Sequence, residues 1–504
     1  LYECFLFRGV RVMKRFFMVG LTLWLVSLVS FTPGWAAVTP DEAKSWIESS
    51  TLTTRDGSLV VHIEGKPYVR GFQYGYRLAE PIVRFRDYIA LEFQHNTKRS
   101  FDFFTDAAVR LYADRFNAEM REEMQGMVDG VNFAGKSFSY PDILAINTYF
   151  DVNMWWDTIE SKKESANESD PAPEPQKELN PESTPIPDNV PNSEKDHCSA
   201  FIAVGEMTRD GEIVMAHNTW FDYSCAPFCR IVLEIVPDRG HKMLMQNWAG
   251  MLFSGTDFFL TDVGLVGCET TIGAFKSFDP DGIPISQRAR MAMQYGENIT
   301  DWVERISDGN NGAYANAWLL GDIRTGEIAR LELGLKYQSL ERTRNGHFTG
   351  SNIAENPLIL KEETTRDPHD STHHSVGRRV RWQQLMRQYQ GRLDLETAQK
   401  LLADHFDSYV GEDRPGLRSL CGHAELASGS FEVEPGPWGA IDGKVVTGEL
   451  AKQWSFMGRW GRSCDIGFDA QKFLDEHPKY EWMHDFLNDI HVEPWTKITF
   501  PSQK

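Results

Sequence analysis

From position 198 onward, short apolar runs of strand length recur along the chain. The stretches 199–206, 212–219, 230–236 and 242–248 read as strands, followed by Phe258-Phe259-Leu260, Gly264-Leu265-Val266 and Ala317-Trp318-Leu319-Leu320. A turn at Thr208-Arg209-Asp210-Gly211 joins the first two into a hairpin. Helical periodicity is expected at about 286–307, 376–390 and 394–409, with no internal repeat. The preceding segment, 38–156, reads as mainly helical. Its clearest run, Ala107 to Val131, places Val109, Leu111, Phe116, Met120, Met124 and Met127 at helical spacing, and Gly130 and Gly135 close it. Strands, then helices, then further strands fit an α+β protein with two sheets covered by helices, a four-layer αββα sandwich. The boundaries expected are 1–37 for upstream residues and a signal, 38–156 for the helical segment, 157–197 for a linker or propeptide, and 198–504 for the main domain.

Between the helical segment and the strands, the residues from about Asp157 to Asp196 contain no aromatic side chain and carry the run DPAPEPQKELNPESTPIPDNVP. A tract with so little to bury is expected to be disordered and trimmed. At the other end, Lys14-Arg15, the apolar Phe16–Phe31 and the small-residue exit Gly34-Trp35-Ala36-Ala37 read as an export signal. Met13 stands just before it, so 1–12 read as untranslated or as an alternative start. The apolar run is short for a spanning helix. An exported protein is implied, periplasmic or secreted, with the lysosomal lumen as the eukaryotic alternative. The 504 residues are 41% hydrophobic and carry a formal net charge of -20. That charge argues against nucleic acid and against anionic membranes as partners. Of the seven cysteines, Cys225 with Cys229, or Cys421 with Cys464, could pair in an oxidising compartment, and an odd thiol remains.

The chemistry concentrates at His197-Cys198-Ser199-Ala200. A cysteine that opens a strand right after an unpackable tract stands where a self-cleaving precursor would place a new N-terminus. Its thiol would be the nucleophile and its freed α-amine the base. The competing reading is a small buried hydrophobe that happens to precede a strand. In an antiparallel hairpin the end of the second strand, His217-Asn218-Thr219-Trp220, lies beside the start of the first, so His217 or Asn218 can approach the sulfur. Thr270 and Thr271, ending an apolar strand, are placed to line a pocket. Asn316, in the loop Asn310 to Trp318, has an amide suited to an oxyanion. Arg378 and Arg381 share a helix face and suit a carboxylate or phosphate, or simply a solvated surface. His369, His373 and His374 lack a supporting cysteine or carboxylate framework, so no metal and no cofactor is expected.

Taken in order, these blocks resemble the phospholipase B-like family of N-terminal-nucleophile (Ntn) hydrolases. The matching pieces are Cys198-Ser199-Ala200, His217 to Trp220, Gly264-Leu265-Val266 with Glu269-Thr270-Thr271, Asn311-Gly312-Ala313-Tyr314 with Asn316 and Trp318, Gly350-Ser351-Asn352-Ile353, and Gly439 to Val445. Ser375 to Arg378 and Ser419-Leu420-Cys421-Gly422-His423 also look like the related acyl-coenzyme A:6-aminopenicillanic acid acyltransferase group. The resemblance implies an Ntn-hydrolase sandwich behind a helical prodomain segment. It implies self-cleavage between His197 and Cys198 into two chains that stay associated. It further implies Cys198 as nucleophile with His217 and Asn218 near it, Asn316 as oxyanion donor, and Thr270, Thr271, Asn352 and Arg378 toward the substrate. The activity implied is hydrolysis of acyl ester or amide bonds, lipid deacylation in the first instance. An amidase or acyltransferase and a non-catalytic secreted binding protein are the alternatives. Two departures bear on the substrate: Ala315 stands where the family pattern calls for a second asparagine, and the match loosens after Lys444.

Overall fold

A computed structural model of the chain describes residues 38–167, 198–427 and 434–500. The export signal read at 1–37, most of the Pro/Glu-rich tract and His197 lie outside the described residues.

The first helix, α1 (Pro40–Glu48), leads into a hairpin, β1 (Thr51–Arg55) and β2 (Ser58–Gly65), which turns at Asp56 and Gly57, both with positive φ. Helices α2 (Pro67–Arg77), α3 (Ala79–Thr97), α4 (Phe101–Tyr112), α5 (Ala118–Phe133), α6 (Tyr140–Asn147), α7 (Tyr149–Trp155) and α8 (Ser161–Asn167) follow. The single helix read over Ala107–Val131 is therefore two. The break falls at 113–117, where the Asn117 side chain accepts from the Met120 N–H and starts α5 as an N-cap. Helical structure also runs past the expected boundary at 156. Trp156 and Ile159 still pack on the core, and Glu160 to Glu164 are good helix formers.

After the tract come β3 (Ser199–Val204), β4 (Val214–Asn218), β5 (Trp220–Asp222), β6 (Ile231–Pro237), β7 (Met243–Asn247), β8 (Phe258–Thr261) and β9 (Leu265–Thr271). The helix expected over 286–307 is again a pair, α9 (Ile285–Tyr295) and α10 (Ile299–Ser307), separated at Gly296 and recapped by Asn298. Strands β10 (Asn316–Asp322), β11 (Glu327–Leu333), β12 (Gln338–Thr343) and β13 (Gly346–Gly350) precede α11 (His374–Gln388) and α12 (Leu395–Leu402). The chain continues through β14 (Phe406–Asp407), β15 (Glu412–Asp413), β16 (Trp438–Ala440) and β17 (Asp442–Thr447) to α13 (Gly448–Lys452) and β18 (Ser455–Trp460). It ends in α14 (Ala470–Glu476) and β19 (Thr496–Thr499).

Two large sheets result. One has nine strands in the order β1-β2-β6-β7-β8-β9-β10-β11-β12, and the other six in the order β13-β3-β4-β17-β18-β19. Their facing sides bury Val60, Ile202, Met215, Leu244, Leu260, Leu319 and Phe456 in one apolar cluster. The outer face of the larger sheet packs Leu233, Met245, Phe259 and Trp318 against α2–α7, α9 and α10. The outer face of the smaller sheet packs Phe201, Ala216 and Val445 against Trp382 and Leu385 of α11 and Leu401 of α12. Helices, sheet, sheet and helices are the four layers of the αββα sandwich read from the sequence.

The N-terminal segment is mainly helical, as read from the sequence, and is also built into the sandwich. Its strand β2 runs parallel to β6, from Leu59 beside Ile231 to Gly65 beside Pro237, so it is an integral part of the larger sheet. The brief apolar run Leu59 to Ile63 is the source of that strand. Its helices are fastened by charge as well as by packing. The fully buried Arg70 of α2 reaches Glu123 of α5 at 2.6 Å, and Arg290 of α9 reaches the same carboxylate at 3.0 Å. α2 and α5 also touch backbone to backbone. A Cβ at Gly71, Gly75, Gly126 or Gly130 would lie 2.0–2.2 Å from a carbonyl oxygen of the facing helix. Among the described residues no helix is long and apolar enough to cross a membrane.

Candidate functional site

The β3–β4 hairpin sets the geometry. Its register pairs Ser199 with Asn218 and Ala200 with His217, so His217 and Ala200 project from the same face, into the space between the sheets. Cys198, immediately before β3, is fully buried and holds φ at +95°, a conformation disfavoured for any residue with a Cβ. A backbone hydrogen bond from Trp220 reaches its sulfur. The sulfur, a ring nitrogen of His217 and a carboxylate oxygen of Asp257 all lie within 4.8 Å of one another.

The ring of His217 has a definable state. Its Nε2 is 2.8 Å from the Glu269 carbonyl oxygen and must donate to it. Burial, reinforced by the Lys444 ammonium, holds the imidazole well below its ordinary pKa, so it is neutral. The proton therefore sits on Nε2, and Nδ1 is a buried lone pair without a hydrogen-bond partner among the described residues. Burial also pushes the Cys198 thiol up, with the carboxyl groups of Asp257 and Glu269 adding to it. Asp257 is itself raised, to about 7, by burial and by the Asp442 carboxylate, against hydrogen bonds from Glu269 and Tyr314 that pull it down. Glu269 stands well above the ordinary carboxylate range from burial and from Asp257. The Tyr314 hydroxyl donates to Asp257 at 3.1 Å. Lys444, paired with His217 across β17 and β4, places its Nζ 2.6 Å from Thr219 Oγ1, 3.0 Å from the Thr256 carbonyl and 2.9 Å from Asp442.

Arg378 of α11 approaches from the helical side. Its guanidinium donates to the Cys198 carbonyl at 2.6 Å, to Ser199 Oγ at 3.2 Å and to Asn352 Oδ1 at 2.9 Å, and it lies 4.2 Å above the Trp220 ring. It thus holds the backbone of the cysteine rather than facing an open pocket. Arg381, read on the same face, pairs with Asp404 at 2.6 Å instead. Asn352, with φ +67°, donates to the Thr271 carbonyl at 2.9 Å and braces Arg378. Thr270 is buried against Gly350 of β13, and its hydroxyl has no partner among the described residues.

Two expected site residues are engaged elsewhere. Asn218 alternates to the opposite face from His217. There its amide donates to the carbonyls of Leu402 and Leu420 at 2.8 and 3.1 Å and accepts from Ser463 at 2.5 Å, tying β4 to the helical layer. Asn316, oriented so that its amide nitrogen faces acceptors, donates to the carbonyls of Ala315 and Tyr314 at 2.7 and 3.1 Å. It is not free to meet an oxyanion in this state. His369 is exposed, while His373 caps α11 by accepting from the Ser375 N–H at 3.2 Å. The aromatic stretch from Trp248 to Phe259 is packed core: Trp248 meets Phe221 and Phe85 edge-on at 4.7 and 5.4 Å. Asp257 is the residue that sequence reasoning missed. Its only signal was an acid set among Trp248 to Leu260, a run that is otherwise apolar or small.

Comparison with known proteins shows what the chain is similar to. Residues 92–332 match the Phospholipase B family model, a span that contains Cys198, His217, Asp257 and Glu269. An uncharacterized protein from Archaeoglobus fulgidus is 24% identical over 270 residues, 51% of this chain and 40% of its own length. Phospholipase B-like protein F of Dictyostelium discoideum is 27% identical over 140 residues, 26% of this chain and 24% of its own length. The chain thus spans less than half the length of these curated relatives. A solved variant of conjugated bile acid hydrolase from Clostridium perfringens superposes with a TM-score of 0.30 and 9% identity, over 52% of this chain and 89% of that one. The resemblance to the phospholipase B-like family read from the sequence holds.

Proposed function

We propose that this phospholipase B-like chain is a hydrolase precursor that cuts itself before Cys198 and then uses the Cys198 thiol to cleave an acyl ester or amide bond. One observation carries the reading: a strained, buried cysteine at the start of a strand shares its surroundings with a neutral histidine and a carboxyl group of pKa about 7. Around it Asp257 Oδ1, Glu269 Oε1, His217 Nδ1 and Thr270 Oγ1 have no hydrogen-bond partner among the described residues. A purely structural cysteine needs none of that buried polarity, each element of which costs stability.

In the proposed self-cleavage, His217 Nδ1 takes the thiol proton and the sulfur attacks the His197 carbonyl carbon. A thioester forms as the C–N bond breaks, and the nitrogen leaves with the proton as the α-amine of Cys198. Water hydrolyses the thioester, releasing the His197 carboxylate and restoring the thiol. The φ of +95° at Cys198 raises the energy of the intact bond and is relieved by breaking it. Arg378 is a positioning residue here, since it fixes the carbonyl on the same Cα that carries the thiol and the scissile nitrogen.

In the mature enzyme the α-amine, with a reference pKa of roughly 7.7–8.0, takes the thiol proton. The thiolate attacks the substrate carbonyl, the alcohol or amine leaves with a proton, and water resolves the acyl-enzyme. Asn316 contributes an oxyanion donor only if it releases the carbonyls of Tyr314 and Ala315. An acyl lipid or N-acyl amide is the proposed substrate, and an exported location, periplasmic, secreted or lysosomal, the proposed setting. The two chains would remain together because β2 and β6 belong to one sheet. The test is a denaturing gel of the folded protein with N-terminal sequencing of the larger fragment. Two chains are expected, the larger beginning Cys-Ser-Ala, and Cys198→Ala should remain single. A wild-type chain that folds and stays intact would instead fit a secreted binding protein.

A further inference from the structure

A second cluster of metal-binding side chains lies apart from Cys198, where three separate loops meet. His405 follows α12, Cys421 and His423 precede the single turn Ala424–Leu426, and Cys464 follows β18. One ligand atom from each of the four residues falls within 4.8 Å of the other three. The edges given individually are close to those of a tetrahedron around a metal. His423 Nε2 is 3.2 Å from His405 Nε2 and 3.5 Å from Cys464 Sγ. With Zn–N near 2.0–2.1 Å and Zn–S near 2.3 Å, a regular tetrahedron has N···N edges of about 3.3 Å and N···S edges of about 3.6 Å.

We infer that His405, Cys421, His423 and Cys464 form a structural zinc site of the Cys2His2 type. Four protein atoms complete the tetrahedron and leave no open position, so the site stabilises rather than catalyses. Its surroundings are those of a metal centre. The far nitrogen of His423, Nδ1, faces Glu425 Oε1 at 3.3 Å, which orients the ring and fixes Nε2 as the metal-facing atom. Glu425 is held in turn by Arg462 at 2.8 Å and by the Tyr223 hydroxyl at 2.5 Å. The Ile466 N–H points at Cys464 Sγ at 3.4 Å, a contact that favours a thiolate. Two thiolates balance the charge of a divalent ion, and Cys421, His423 and Cys464 are buried.

The alternative for the two sulfurs is a disulfide. A disulfide does not call for two imidazole Nε2 atoms turned toward the same point, nor for a carboxylate behind one of them. His369, His373 and His374, where no metal is expected, take no part. The pattern in the sequence that points here is Cys421-Gly422-His423, whose partners are distant in the chain.

The test uses the full chain, expressed with zinc, purified under reducing conditions without chelator and analysed for metal by plasma mass spectrometry. One zinc per chain is expected, and cobalt exchanged for it should give the visible bands of a tetrahedral thiolate centre. Cys464→Ser should lose the metal, while Cys268→Ser, a buried cysteine elsewhere, should keep it. His405→Gln removes the most accessible of the four ligands with the least risk to folding. In a chelator competition it should weaken zinc retention by more than the roughly 10–100-fold that loss of a supporting group costs. A wild-type chain that takes up neither zinc nor cobalt when reduced would overturn the assignment. So would a native chain whose intact mass is short by two hydrogens and whose digest contains Cys421 joined to Cys464.

Discussion

Arg378 gives the sharpest test of how the nucleophile is held. Its guanidinium is fully buried and makes short contacts to the Cys198 carbonyl and to Asn352, with Trp220 beneath it. Hydrogen bonds to a charged donor are worth about 1.5–3 kcal/mol each, and a desolvated cation on an indole about 2 kcal/mol. Desolvating the guanidinium costs several kcal/mol in the other direction, so the sum overstates what the residue contributes. Arg378→Met takes the guanidinium donors from the Cys198 carbonyl and from Asn352 and should cost about 3–5 kcal/mol of stability. Arg378→Lys keeps the charge but cannot reach both acceptors with one fork, so about 2 kcal/mol is expected. If that loss falls on the anchored carbonyl, self-cleavage should slow by roughly 30-fold, since each 1.36 kcal/mol is a factor of ten. Pulse-labelled cell-free synthesis followed on a denaturing gel reads the rate, and urea unfolding of a Cys198→Ala background reads the stability. An Arg378→Lys chain that folds and cuts as fast as wild type would refute the anchoring role.

Three further outcomes follow from the same geometry. Asp257, with a pKa raised to about 7 by burial against about 3.9 when unfolded, binds its proton more tightly in the folded state. Stability should therefore fall as pH rises from about 4 to 7, and Asp257→Asn should flatten that fall in urea titrations at pH 5 and 8; equal slopes would exclude it. Gly126→Ala places a Cβ 2.1 Å from the Tyr68 carbonyl oxygen and should separate α2 from α5, costing at least about 3 kcal/mol; a melting temperature within a degree of wild type would show that the helices can shift freely. Adding one residue before Cys198, in protein made as two separate chains, turns the α-amine into an amide. Acyl transfer should then collapse although the thiol remains, and undiminished hydrolysis would put the base at His217.

The strands after Cys198 were legible because they are short apolar runs bounded by turn residues, and β3, β4, β6 and β7 begin and end within two residues of the positions read. Where helices were misjudged, the cause is local and visible. Asn117 and Asn298 cap new helices inside runs whose apolar spacing looks continuous. The strand β2 was lost for a different reason. Leu59 to Ile63 is a short apolar run inside a mainly helical segment, and its strand character comes from pairing with β1 in a hairpin and with β6, more than a hundred residues away. At the site, Cys198 and His217 follow from hairpin register and could be read in one dimension. Asp257, Glu269 and Lys444 come from three other strands or loops, and no spacing within one segment could bring them together. Asn218 shows the limit of adjacency: one residue along a strand reverses the face, so neighbours in sequence have opposite surroundings.

The position of the proposed cut in this fold constrains what the cut can do. A scissile bond at the start of β3 lies between the part of the chain that supplies β2, Arg70 and Glu123 and the part that supplies β6 and Arg290. Breaking it removes one covalent link but none of the sheet pairing, nor the Arg70–Glu123–Arg290 cluster. A buried charge in that cluster deprived of its partner would cost about 3–5 kcal/mol, so dissociation is opposed independently of the apolar core. Cleavage is therefore free to act locally, on the φ of Cys198 and on the amine beside its thiol, while the layers that hold His217, Asp257 and Arg378 in place stay closed. A helical prodomain docked on the surface would not have this property, since a surface dock can release. A strand inside the sheet cannot leave without opening the sheet.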